Sequence, residues 1–193
     1  MSWQVKLGRN SSREGPDRMK PRLVIVGGAP GSGKTTLAVA LASRVAFPLL
    51  AKDDIKESLA DVEGAIDLAR SRQLGRAAYS VMRAIAARSI ASGGGLVLEA
   101  NFHRERSAWL RELLPGCDGR FVLCRTSLEV LRARFTARMS AGGRHRVHLD
   151  ADVLEDDWPD PGEFELGLAI PSIAVDTTSG YAPDLESVVR FIA

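Results

Sequence analysis

The sequence predicts an α/β fold: a three-layer α/β/α sandwich on a five-stranded parallel sheet. Three observations predict it. Short apolar runs alternate with stretches of helical periodicity along the chain, the pattern of strand–helix–strand units. The runs are continuous rather than alternating, as in Leu23-Val24-Ile25-Val26, so their strands are covered on both faces. The first run leads directly into Gly28-Ala29-Pro30-Gly31-Ser32-Gly33-Lys34-Thr35, a glycine-rich turn of the form G-x-x-x-x-G-K-T that opens a helix.

Residues 1–20 are polar, basic and broken by Gly8, Gly15 and Pro16. They have nothing periodic to bury and read as a disordered tail before one domain over 21–193, with Met19 an alternative start. Removing residues 1–18 is therefore expected to leave melting temperature and the affinity of the glycine-rich turn for its ligand nearly unchanged; a large drop in melting temperature would show that the tail packs. After the first strand, Leu37, Leu41 and Val45 repeat at helical spacing, and a second strand follows over Phe47 to Ala51. From Ala65 to Ser92 the apolar residues Leu68, Ala78, Val81, Met82, Ile85 and Ile90 oppose Arg70, Arg72, Arg76, Arg83 and Arg88, a helix with a basic outer face. Gly93-Gly94-Gly95 stops it before a third strand, Leu96 to Glu99. Arg104 to Leu114 reads as a helix ending at Pro115-Gly116, and Phe121 to Cys124 as a buried strand. Thr126-x-x-Glu129 is a capping box for the next helix. Ser172 to Val175 is the last strand, and Pro183 in a first turn opens a terminal helix through Val188, Val189 and Ile192.

A chain of 193 residues with 45% hydrophobic content has enough for one core and too little for two. Its net charge of +2 does not by itself argue for nucleic acid or a membrane. No apolar run reaches a membrane span and Met1 to Lys6 lacks a signal-peptide core, so a cytoplasmic protein with no membrane partner is expected. Cys117 and Cys124 are expected to be buried, reduced and not nucleophilic. His145 and His148 have no further histidine or cysteine at ligand spacing, which argues against zinc. Oligomeric state is not set by the sequence.

The turn carries the first chemistry. Its glycines let consecutive N–H groups and the helix N-terminus point at phosphates. Gly28, Ala29, Pro30, Gly31, Ser32, Gly33, Lys34, Thr35 and Thr36 are the candidate ATP-binding residues; Lys34 reaches the β- and γ-phosphates and the Thr35 hydroxyl ligates Mg²⁺. Ligands of parallel sheets bind at the carboxyl ends of the strands, and there the second strand ends in Lys52-Asp53-Asp54-Ile55-Lys56. A carboxylate here suits the general base of a kinase, and it equally suits a helix cap.

Together, G-x-P-G-S-G-K-T-T and K-D-D-I-K-E-S-L, with Asp53 nineteen residues beyond Lys34, resemble the small P-loop kinases that include zeta toxins, chloramphenicol phosphotransferase and polynucleotide 5′-kinases. The resemblance implies the P-loop NTPase version of the sandwich, kinase-like with a lid. It implies that Asp53 deprotonates an acceptor hydroxyl and that Lys56, in place of the commoner arginine, contacts phosphate or substrate. It puts Glu99 in the Mg²⁺ shell, where the group typically has aspartate, and Asn101 toward the acceptor; Glu99 also fits a plain anchoring role. A lid is expected over 134–148, with Arg134 and Arg138 on one helical face beside Gly142-Gly143 and, by the resemblance, stabilising the transferring phosphoryl group. The loop from Asp176 through Thr177, Thr178 and Tyr181 lies against the adenine in similar kinases, or forms only a turn. The acidic stretch 155–160 reads as a surface loop, at the acceptor site or elsewhere.

The expected activity is transfer of the γ-phosphate of ATP, with Mg²⁺, to a hydroxyl of a small molecule such as an antibiotic, nucleoside or sugar. ATP is preferred over GTP because the guanine-reading N-K-x-D is absent. A 5′-hydroxyl polynucleotide kinase is the alternative, not favoured by the small size and near-neutral charge, and a nucleotide-binding switch without an acceptor is the reading from another class.

Overall fold

Strand β1 (Arg22–Gly28) buries Leu23 and Ile25 on one face and Val24 and Val26 on the other, so it must lie at the centre of the fold with helices on both sides. The computed structural model describes residues 20–64, 67–142, 145–148 and 160–193. The expected tail through Met19, Gly143 of the expected hinge, and the acidic stretch before Asp160 lie outside them. Strands β2 (Leu49–Ala51), β3 (Leu96–Glu99), β4 (Asp118–Arg125) and β5 (Ser172–Asp176) complete a five-stranded sheet of order β2-β3-β1-β4-β5. All the pairings are parallel.

Helices α1 (Lys34–Val45) and α6 (Leu185–Ile192) cover one face of the sheet. Leu37, Leu41, Val188 and Ile192 are fully buried there against Val24, Val97, Val122 and Val175, each leucine contributing about 2 kcal/mol of apolar burial. Helices α3 (Leu68–Ala91) and α4 (Leu110–Leu113) cover the other, where Met82, Ala86, Leu110 and Phe102 join Leu23, Ile25, Leu98 and Phe121. Helix α2 (Lys52–Glu63) packs on α3 through Ala60 and Leu74, with Val147 closing this small cluster. Helix α5 (Leu128–Ser140) follows β4. No helix among the described residues is long and apolar enough to cross a membrane.

Four of the differences from expectation have a physical reason in the contacts. The second strand begins at Leu49 rather than Phe47, because the Phe47 ring packs beside Gly95, where a Cβ would approach it to 2.5 Å. The helix expected over 104–114 is only α4 and a 3₁₀ turn, Leu114–Gly116. Ahead of it the Arg104 N–H donates to Glu163 O at 2.9 Å and the Ser107 N–H to His103 O at 3.0 Å, so the chain turns to hold a distant segment. Thr126 does not cap α5: its hydroxyl pairs with that of Thr178 at 2.9 Å, and Ser127 Oγ accepts from the Val130 N–H at 3.3 Å. Pro183 precedes the terminal helix rather than opening it, since Asp184 is the cap and accepts from the Ser187 N–H at 2.7 Å.

Cys117 and Cys124 are buried free thiols. Burial pushes the Cys124 thiol up to about 12, which leaves it inert as a nucleophile.

Register positions the site. Glu99 stands level with Val26 of β1 and with Ala51 of β2, so the glycine-rich turn, Glu99 and the start of α2 all emerge at one end of the sheet. The chain leaves β1 toward β2 and leaves β3 toward β4, on opposite sides, which opens a crevice between their carboxyl ends.

Candidate active site

The glycine-rich turn has the backbone its sequence demands. Gly28 has φ 148°, and a Cβ there would stand 2.6 Å from both the Cys124 carbonyl oxygen and Ser32 Oγ. Gly33 has φ 78° and occupies the capping position of α1, where no side chain closes the helix, so the first-turn N–H groups are left for a ligand. Ser32 Oγ is buried with no hydrogen-bond partner among the described residues. Lys34 is 7% exposed, its ammonium 3.6 Å from Glu99 Oε1. An orphaned buried hydroxyl, a cradle only glycine fits and a buried cation make a site suited to phosphate oxygens.

Glu99 is 3% exposed at the end of β3. Burial raises its pKa, against the pull of the Lys34 ammonium and the Thr35 hydroxyl. Thr35 and Glu99 therefore stand together beside Lys34, an oxygen pair able to serve a hard cation directly or through its water.

Asp53 lies in the first turn of α2 but does not cap it, because Ala51 takes that position and no side chain makes a capping bond. Its Oδ1 accepts from Lys52 Nζ at 2.7 Å. Burial pushes the Asp53 pKa up, yet the charges of Lys52, His148 and Lys34 outweigh it and hold the carboxyl well below the usual range. Asp53 and Glu99 also sense one another, so Lys34, Glu99 and Asp53 share one crevice. Asp54 is exposed.

Lys56 turns into the protein. It is 8% exposed, and its ammonium donates to Ser71 Oγ at 2.8 Å and Val147 O at 3.2 Å, tying α2 to α3 and to the chain beyond α5. The histidines beside it are similarly engaged, His145 with Asp61 at 3.0 Å and His148 with Glu57 at 2.8 Å. Asn101 follows β3 as expected; its carbonyl accepts from the Tyr79 hydroxyl at 2.8 Å, and its Oδ1 is buried without a partner among the described residues. Tyr79 also adjoins the site. Its hydroxyl senses Asp53, Glu99 and Arg106, and the only signal in the sequence was a polar tip within the apolar stripe of α3.

Arg134 and Arg138 both face the glycine-rich turn. Arg134 donates to Thr177 O at 2.6 Å, Thr178 O at 3.2 Å and Gly31 O at 3.4 Å, and Arg138 Nη2 lies 3.7 Å from where a Cβ on Gly31 would be. Thr177 Oγ1 donates to Ser32 O at 2.6 Å, while Asp176 makes a turn by accepting from the Thr178 N–H at 2.7 Å. The loop after β5 thus both turns and touches the phosphate loop. Between them opens a cavity of about 360 Å³ lined by Gly33, Thr36, Arg134, Thr177, Gly180 and Tyr181. These bonds hold Arg134 between the loop after β5 and the glycine-rich turn, at the wall of this cavity.

A second cavity, about 410 Å³, lies beyond the end of β3, with His103, Arg104, Arg106 and Asp160 among its walls. Arg104 Nε donates to Glu165 O at 2.7 Å and His103 Nδ1 pairs with Glu163 at 3.1 Å, strapping the segment from Asp160 onto this loop. Asp160 is the one residue of the acidic stretch within the described chain, and it lines this cavity.

The sequence model of the AAA domain family matches residues 23–156. The crystal structure of a candidate kinase from Chloroflexus aurantiacus J-10-fl is 32% identical, with 90% of this chain and 97% of that one covered and a TM-score of 0.76. The APS kinase CysC of Mycobacterium tuberculosis, solved with AMPPNP and APS, is 15% identical over 90% of this chain and 98% of its own, with a TM-score of 0.59. An unliganded sugar kinase from Janibacter sp. HTCC2649 is 19% identical over 90% and 96%, with a TM-score of 0.54. The latter two share the fold. No curated protein matches the chain.

Proposed function

The chain belongs to the AAA domain family, and we propose that it is an ATP-dependent phosphotransferase acting on a hydroxyl of a small molecule that is antibiotic-, nucleoside- or sugar-like. The observation that carries this reading is the meeting of Lys34, Glu99 and Asp53 in one crevice, at the ends of β1, β3 and β2. A passive nucleotide switch needs the first two; it has no use for a third, ionised carboxylate facing them.

In this reading the nucleoside of ATP occupies the cavity between Arg134, Thr177 and Tyr181, and the phosphates run along Gly28–Thr35 to Lys34. The acceptor oxygen attacks the γ-phosphorus in line. Its bond to phosphorus forms as the bond to the bridging oxygen breaks, ADP leaves, and the hydroxyl proton passes to the Asp53 carboxylate. Lys34 and Arg138 compensate the charge spread over the transferring group. Thr35 and Glu99 would hold Mg²⁺, which when bound neutralises charge on the β- and γ-phosphates. The 410 Å³ cavity beyond the end of β3 has the size for a small acceptor. Against a polynucleotide acceptor, two arginines of the basic face of α3 are already committed, Arg70 to Glu63 and Arg83 to Glu112.

Arg134→Ala is expected to raise KM for ATP about ten-fold, the equivalent of one charged hydrogen bond, with kcat little changed. A large loss of kcat at unchanged KM would instead return Arg134 to the transferring phosphoryl group. The function itself is tested by offering γ-labelled ATP with antibiotics, nucleosides, sugars and 5′-hydroxyl oligonucleotides. Label on a small molecule supports the reading, and label on the oligonucleotide alone replaces it with the polynucleotide kinase.

A further inference from the structure

Lys52 is out of place by the usual rules of helix ends. The first turn of a helix favours acids and disfavours cations, and neighbouring residues on a helix do not face one another. Yet Lys52, the first residue of α2, folds across to put its ammonium 2.7 Å from Oδ1 of the next residue, Asp53, with its side chain only 16% exposed. A lysine with no task there would extend into water, since a long side chain loses rotamer freedom when fixed. A wall holds it in place. The Lys52 ammonium lies 5.9 Å from the centre of the Tyr79 ring. That ring is fixed by its hydroxyl bond to Asn101 O at 2.8 Å and by Phe102 at 6.1 Å.

The charges facing Asp53 come from every neighbouring element. Lys34 of α1, His148 beyond α5 and Lys52 favour the carboxylate. Glu99 of β3 and Asp54 of α2 oppose it, and the Tyr79 hydroxyl of α3 adjoins it. Lys52 is in direct contact with Asp53, at 2.7 Å.

We infer that Lys52 is a positioning residue of the transfer site: it grips one oxygen of Asp53, fixes the carboxylate's orientation, and leaves the other oxygen for the acceptor proton. The inference rests on the reading of Asp53 as the proton acceptor. The Lys52 charge also offsets the like charges of Glu99 and Asp54, which couple to Asp53. The competing role is that of a phosphate ligand, in which Lys52 would leave Asp53 when ATP arrives.

The test uses the full chain and needs no identified acceptor. Carboxyl ¹³C resonances are followed from pH 7 to 3, with Asp53→Asn assigning the Asp53 signal, and basal ATP hydrolysis is measured with water as the acceptor. In the parent the Asp53 signal is expected to stay flat to about pH 3, below the ordinary aspartate value near 3.9. Removing the cation removes a contribution that favours the charged form, so in Lys52→Gln the signal should titrate at about pH 4 or above, and Lys52→Arg should restore the flat profile. The same upward shift should appear in a His148→Asn background, which separates the two cations. Basal kcat of Lys52→Gln should fall by about 10²-fold, the scale of a misplaced reacting group, with ATP affinity within about three-fold. An unmoved Asp53 titration, or ATP affinity falling with kcat intact, overturns the inference. If Asp53→Asn hydrolyses ATP as the parent does, it is the base reading that falls; if Asp53→Asn is impaired and Lys52→Gln is not, only the role of Lys52 falls.

Discussion

Asp53→Asn is expected to keep ATP·Mg²⁺ affinity within a few-fold while phosphoryl transfer drops by about 10²–10⁴. Asparagine preserves the shape and can still accept a hydrogen bond, but it cannot take the hydroxyl proton. The structure sharpens the expectation, because Asp53 makes no capping bond to α2, so the helix end does not depend on it. Asparagine also caps about as well as aspartate, and a cap alone would therefore predict no loss at all. Calorimetric ATP binding beside a transfer assay reads both quantities. Equal activity of mutant and parent would return Asp53 to a structural role and leave the exposed Asp54 as the next candidate.

Lys34→Ala is expected to abolish measurable transfer, a loss of at least about 10²–10³, and to weaken ATP binding while the fold survives. Lys34 is buried against Glu99 at 3.6 Å, and breaking such a pair usually costs about 3–5 kcal/mol because one charge is stranded. Here the stranded group has an exit. Burial already raises the Glu99 pKa and Lys34 pulls it down, so losing Lys34 moves the carboxyl further toward its neutral form. The sign for stability follows. A carboxyl whose folded pKa lies above its unfolded value stabilises below the unfolded pKa and loses that contribution as pH rises through the folded one. The melting temperature of Lys34→Ala should therefore decline relative to the parent as pH rises above about 5, which a thermal melt series checks. Unchanged turnover in a folded mutant would remove Lys34 from the phosphate site.

The sheet was legible because buried parallel strands read as unbroken apolar runs, and the phosphate loop because its glycines, lysine and threonine have few other uses together. What the sequence hid was decided by distant partners. The periodicity of Trp109, Leu110, Leu113 and Leu114 is real, yet the residues before it are bent by bonds to Glu163, which no local pattern contains. Thr126 matched a capping box, but Thr178 takes its hydroxyl and the cap moves to Ser127. Lys56 stands at the motif position of a substrate contact, while Ser71 and Val147, far along the chain, draw it into the protein. Helical spacing put Arg134 and Arg138 on one face without revealing that Thr177 and Gly31 would claim the first of them. Tyr79 was invisible because an aromatic in an apolar stripe reads as core.

The most direct measurement of the central claim is where the γ-phosphate goes. With γ-labelled ATP and the acceptor found in the screen, the parent protein should place label chiefly on the acceptor, one ADP formed for each, while Asp53→Asn yields little labelled acceptor at undiminished ATP occupancy. Label appearing only as inorganic phosphate, equally in both proteins and with every acceptor offered, would contradict a phosphotransferase and leave a nucleotide switch.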